Sequence, residues 1–263
     1  MLTVNNLNSG YGKLQILYNL DIEVPEKELT VVVGPNGAGK TTLLCSIMNI
    51  ANVFSGEIIL QGNSIVGEQT HDLAQKGIAY VPQMGNVFAE LSVMDNLHMA
   101  AYMLTKAEAK DKADQMTDIF PVLKKFIHRH AGTLSGGERR MLAIAMGLIK
   151  NPKLMLLDEL STDLAPIIAE RVMMEVARMR DELDITVLMV EQMAKRALEI
   201  GNTAYLLVSG EVRYAGKAGD LLHEPELCSM YLGIKPPEDN SEGFELSISE
   251  DELPGSDEGS EDN

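Results

Sequence analysis

The chain has 263 residues, 45% of them apolar, with 22 Lys and Arg against 39 Asp and Glu and a formal net charge of −17. That length and apolar content suit one buried core with a smaller lobe. The charge balance offers no basic surface for nucleic acid. No apolar run approaches the ~18 residues of a membrane span, and Met1-Leu2-Thr3-Val4-Asn5 lacks the basic-then-apolar pattern of an export signal. A cytosolic chain that reaches membranes through partners is therefore expected.

Residues 2–8, 17–24 and 28–33 read as strands of an N-terminal β region. The last ends in the β-branched run Leu29-Thr30-Val31-Val32-Val33, as a buried parallel strand would. Gly34-Pro35-Asn36-Gly37-Ala38-Gly39-Lys40-Thr41 follows at once and fits G-x-x-x-x-G-K-[ST], with Thr42 next. Leu43, Leu44, Ile47, Met48 and Ile50 then recur at helical spacing. In this strand–loop–helix context the loop N–H groups and the helix dipole face phosphate. Lys40 is expected to reach the β- and γ-phosphates of a nucleotide triphosphate, and the Thr41 hydroxyl to ligate Mg²⁺.

Gly56–Leu60 and Gly77–Val81 read as further strands. Ser92-x-x-Asp95 and Thr105-x-x-Glu108 are helix starts, so 84–133 is expected to be a mostly helical lobe. Leu134-Ser135-Gly136-Gly137-Glu138 then opens an apolar-periodic helix. Ser135 and Glu138 have capping-box spacing, and the two glycines allow an anion to approach the helix terminus. The strand at 153–158 ends in Asp158-Glu159. Asp158 suits the Mg²⁺ shell, and Glu159 is a carboxylate base at a strand's C-terminal edge, where open α/β sheets bind ligands. A helix starts at Pro166, a strand covers 185–190 and a helix 192–199. A hairpin at Ser209-Gly210 joins Tyr205–Val208 to Val212–Ala215.

In this order the three strings resemble those of ABC-type ATPase subunits, over about residues 2–235. The resemblance implies an α/β P-loop NTPase core with an N-terminal antiparallel β region and an inserted helical lobe. It implies head-to-tail pairing with a second ATPase subunit, each ATP lying between one chain's phosphate loop and the other's Ser135–Glu138. It makes Tyr11 the aromatic that stacks on adenine, and Gln83 the glutamine that reaches Mg²⁺ and the attacking water. The strings LNSGYGKLQIL, MLAIA, LAPIIAE, VEQ and MYLGI are similar to the second ATPase of branched-chain amino-acid importers, with the urea importer ATPase close behind. Two membrane permeases and, indirectly, a solute-binding protein are the implied partners, and the cytoplasmic face of the membrane the implied location. A soluble ABC ATPase and a weakly hydrolysing regulatory subunit are the alternatives.

Four positions depart from the family pattern. Gln192 stands where a histidine usually contacts the γ-phosphate, and it cannot become a cation. Leu160 replaces a proline, Asp163 a small or apolar residue, and Met146 an arginine. Cys45 lies one turn beyond the phosphate loop. Residues 238–263 hold eleven of the 39 acids and no Lys or Arg, leaving 28 acids against 22 bases in the remainder. The segment 236–263 is therefore expected to be a disordered acidic tail.

Overall fold

The computed structural model describes residues 1–233; the expected acidic tail lies outside the described residues. In chain order the elements are β1 (Leu2–Tyr11), β2 (Leu14–Val24), β3 (Leu29–Val33), α1 (Lys40–Ile47), β4 (Asn52–Leu60), β5 (Asn63–Ser64), α2 (Thr70–Gln75) and β6 (Ile78–Val81). The next segment holds α3 (Val93–Ala100), α4 (Lys106–Ile119) and α5 (Pro121–Lys124). Then come α6 (Gly136–Leu148), β7 (Leu154–Asp158), α7 (Pro166–Leu183), β8 (Thr186–Glu191), α8 (Ala194–Ile200), β9 (Thr203–Val208), β10 (Glu211–Lys217), α9 (Ala218–Leu221) and α10 (Pro225–Leu227).

Two sheets form. β2-β1-β4-β5 is antiparallel, and β10-β9-β3-β8-β7-β6 is parallel except for the edge strand β10. Every residue of β3, β7 and β8 is buried, which is why these strands read as unbroken apolar runs. Their side chains still alternate between two cores. Val31, Val33, Met155, Leu157, Val187 and Met189 pack with the helices. Val32, Leu154, Leu156, Leu188 and Val190 pack against the antiparallel sheet and α1, as the two-residue period of a strand requires.

The expected strands and helices form, with shifted ends. β1 runs to Tyr11, with register shifts after Val4, Leu7 and Ser9 carrying it past the point where its alternation breaks. β2 starts at Leu14, which is exposed and so carries no burial signal. Ser92, Thr105 and Ser135 cap α3, α4 and α6, each accepting from the backbone N–H three residues on.

Registry places the chemistry. Val33 pairs with Glu191 across β3 and β8, and Asp158 with Val190 across β7 and β8. The phosphate loop, Asp158-Glu159 and Glu191-Gln192 therefore leave the sheet side by side, at the C-terminal edge of three adjacent strands.

Candidate active site at the strand ends

Gly39 caps α1 at φ 104°, and Gly37 has φ 77°, both in the left-handed region that favours glycine. A Cβ on Gly39 would lie 2.6 Å from Leu17 Cδ2. A Cβ on Gly37 would meet nothing within 4 Å, so the loop there faces open space. Among the described residues no side chain caps α1. Its N–H groups are left for a ligand, and phosphate suits a helix start of this kind.

Lys40 is buried. Its ammonium donates to the Gly34 and Pro35 carbonyls at 3.0 and 3.2 Å and lies 3.2 Å from Glu159 Oε1. The three donors of a lysine are thus satisfied within the protein.

Thr41 Oγ1 donates to Asp158 Oδ1 at 3.0 Å, and Tyr80 OH donates to Asp158 Oδ2 at 3.1 Å. Burial raises the Asp158 pKa against these two bonds, and it pushes the Tyr80 phenol far up, aided by the neighbouring Asp158 charge. Hydroxyl and carboxylate oxygens are the hard donors Mg²⁺ takes, with phosphate and water completing its shell. No group of three or more His, Cys, Asp or Glu gathers among the described residues. One hydroxyl and one carboxylate fit an ion whose other ligands are phosphate and water oxygens.

Glu159 sits at φ 43°, a strained conformation for a non-glycine residue. Its Oε2 accepts from Gln83 Nε2 at 3.1 Å and from Thr162 Oγ1 at 3.2 Å. Gln192 is exposed and shares an open cleft of about 550 Å³ with Ser161, Thr162 and Asp163. Tyr11 is 42% exposed beside Thr42 and Cys45, and partial burial followed by Cys45 raises its pKa. Leu160 is fully buried, and Met146 packs on the helical core.

Ser135 and Glu138 form a complete capping box at the start of α6. A Cβ on Gly136 would lie 2.6 Å from Leu164 Cδ2, and one on Gly137 2.5 Å from Ile168 Cγ2. Close packing against the start of α7 thus accounts for both glycines within the chain. The phosphate loop packs instead on Leu17 and Leu207.

Three residues here escaped the sequence reading. Tyr80 was visible only as part of a strand. Arg140 donates to the Gln83 backbone carbonyl and, at 3.5 Å, to that of Thr162, tying α6 to both loops around Glu159. Its guanidinium also faces the charges of Glu191, Asp163 and Asp158, an electrostatic counterweight to the unusual Asp163. Glu191 is wholly buried and bound to Ser161. The pattern after β8 signalled only Gln192.

The model of the family described as ABC transporter matches residues 17–162. A probable branched-chain amino acid transport ATP-binding protein, LivF, from Archaeoglobus fulgidus is 46% identical over 89% of this chain and 99% of its own. The chain belongs to the ABC transporter family. Membership makes it an ATP-binding ATPase subunit with the fold class its sequence resembled. The high-affinity branched-chain amino acid transport ATP-binding protein BraG of Pseudomonas aeruginosa is 38% identical over 89% of this ABC chain and 100% of its own. Among solved structures, an ATP-binding cassette of an ABC transporter superposes with a TM-score of 0.80 at 23% identity, covering 88% of this chain and 98% of that one. A dimeric cassette bound to ADP and Pi gives 0.72 at 23% identity over 83% and 99%. At that identity these two structures speak for the fold alone.

Proposed function

We propose that this chain is the ATP-hydrolysing subunit of a membrane importer for branched-chain amino acids. The observation that carries the reading is end-to-end similarity to LivF and BraG, two transport ATP-binding proteins for that cargo, at 46% and 38% identity. Lipopolysaccharide export ATPases match at 30% over a similar span, and that lower identity favours amino-acid import over export of lipid.

Each site residue takes a role consistent with its place. Tyr11 stacks on adenine. The N–H groups of Gly34–Thr42 and the Lys40 ammonium hold the phosphates, Lys40 exchanging Glu159 for the γ-phosphate. Thr41, Asp158 and Gln83 would hold Mg²⁺, which would supply charge neutralisation at the phosphates. Glu159 polarises the attacking water, held in line by Gln83 and Thr162. Gln192 donates a hydrogen bond on the γ-phosphate side.

Ser135, Gly136, Gly137 and Glu138 face the ATP of a second ATPase subunit. The pair closes around ATP and separates after hydrolysis, and the helices between β6 and α6 pass that motion to two permeases. A solute-binding protein delivers cargo on the far side. No helix among the described residues is long and apolar enough to cross a membrane, so attachment to the cytoplasmic face runs through the permeases.

A tagged pull-down from gently solubilised native membranes, in ATP and Mg²⁺, tests this reading. Recovery of two multi-span permeases and a second ATPase is the expected result. Recovery of soluble partners alone from well-extracted membranes overturns it.

A further inference from the structure

Glu191 ends β8 between the two strands that carry the phosphate loop and Asp158-Glu159. It is 0% exposed, although glutamate is almost never fully buried unless paired. Both carboxylate oxygens are used on one residue. Ser161 N–H donates to Oε1 at 3.1 Å and Ser161 Oγ to Oε2 at 2.5 Å. The backbone N–H of Gln192 also points at the carboxylate.

One residue back on β8 and two back from Ser161 a second tie forms, Glu159 N–H donating to the Val190 carbonyl at 3.0 Å. The turn 159–161 is thus pinned to the end of β8 at two successive points. The pinning answers a specific need. Glu159 is held at φ 43° and Asp163 at φ 63°, conformations that persist only where the surroundings over-determine them. Leu160, in place of the proline usual in this family, contributes no ring to fix φ.

From Ser161 the restraint passes to its neighbour Thr162. The hydroxyl of Thr162 holds Glu159 Oε2, and its carbonyl accepts from Arg140. The hydrogen bonds of Glu191 go to the turn after β7, whereas Lys40 is held by the Gly34 and Pro35 carbonyls and Glu159.

We propose that Glu191 is a positioning residue: through Ser161 and Thr162 it sets the placement of the Glu159 carboxylate, and so governs the hydrolytic step and not ATP binding. This rests on the reading of Glu159 as the base that polarises water. A buried polar group of this kind is tolerated only with its partners in place, and removing either partner releases the same turn.

The test uses the full-length chain and the variants Ser161→Ala, Glu191→Gln, Glu191→Ala and Ser161→Ala/Glu191→Ala, with Glu159→Gln as reference. Two quantities are read for each. One is the single-turnover rate of phosphate release from radiolabelled ATP with Mg²⁺. The other is the dissociation constant of a fluorescent ATP analogue.

Ser161→Ala and Glu191→Ala are each expected to slow release by about tenfold or more, since sub-ångström misplacement of a reacting group costs rates of that order. The dissociation constant stays within about twofold. The double variant is no slower than the slower single one, as for residues acting as a unit. Glu191→Gln, which keeps the volume and one acceptor oxygen, recovers part of the rate.

Ser161→Ala and Glu191→Gln remove less and serve if Glu191→Ala fails to fold. Unchanged release in folded Ser161→Ala and Glu191→Gln overturns the proposal. So does a loss expressed in nucleotide affinity, or losses that multiply in the double variant. If Glu159→Gln itself releases phosphate at the wild-type rate, the assignment of the base fails instead, a distinguishable result.

Discussion

Lys40 and Glu159 form a buried ion pair at 3.2 Å, and this pair decides what mutation of either does. With Glu159→Gln the ammonium loses a charged competitor for phosphate. ATP binding is then retained or tightened while hydrolysis falls by orders of magnitude, and an ATP-bound dimer accumulates in gel filtration. A variant that never dimerises, with or without the partner ATPase, sinks the shared-nucleotide arrangement. Thr30 Oγ1 is buried without a hydrogen-bond partner among the described residues. Thr30→Val should be neutral or stabilise by about 1 kcal/mol in urea unfolding, because the hydroxyl is desolvated for no return. Glu191 has a third consequence. Burial pushes its pKa from the ordinary 4.5 up to about 7. The folded chain therefore binds that proton more tightly than the unfolded one, and stability declines as pH rises from about 4.5 to about 7, then levels off. Melting temperatures of Glu191→Gln across that window should show a shallower decline than wild type; identical slopes would exclude the buried carboxyl as the cause. The sequence exposed Lys40, Thr41, Asp158 and Glu159 because glycine spacing and strand-end position mark them locally. Tyr80, Arg140 and Glu191 act between elements far apart in sequence, from β6 to β7, from α6 to two loops and from β8 to the turn after β7, and no local pattern reports such contacts.

Helix starts were legible for a different reason: a capping box is written in four consecutive residues. Thr105 and Glu108 realise one at α4, with the Thr105 backbone N–H donating to Glu108 at 2.9 Å. Thr105→Ala should cost about 1 kcal/mol of stability by denaturant unfolding and leave ATP affinity unchanged, as loss of an N-cap does. The box at Ser135 and Glu138 combines this ordinary role with close packing of Gly136 and Gly137 on Leu164 and Ile168. A phosphate-facing role for the same turn adds to that packing and does not replace it. Strand ends were less legible. Leu14 is exposed on β2, and β1 passes three register shifts before Tyr11, so the apolar alternation stops short of the hydrogen-bonded ladder in both. The buried strands β3, β7 and β8 read plainly, since helices and the second sheet cover both of their faces.

For the molecule as a whole, the two glycine-rich turns are built on different neighbours, Leu17 and Leu207 for one and Leu164 and Ile168 for the other. That arrangement suits completion of each nucleotide site by a second ATPase. The acidic segment 236–263 falls outside the described residues, and its composition alone supports an expectation. Its eleven acids and no bases cannot supply a core. Deleting it should leave the melting temperature and ATP affinity of the chain unchanged, and a loss of more than about 1 kcal/mol of stability would contradict that composition-based reading. Cargo is least legible, because no residue of an ATPase subunit need touch it. Uptake of labelled leucine, isoleucine and valine into vesicles carrying the assembled transporter, with ATP on the face of this subunit and the solute-binding protein on the other, tests the assignment most directly. ATP-driven accumulation with the wild-type chain, abolished by Glu159→Gln, is the expected result. An assembled complex that hydrolyses ATP yet accumulates none of the three, or one whose accumulation Glu159→Gln leaves unchanged, would contradict it.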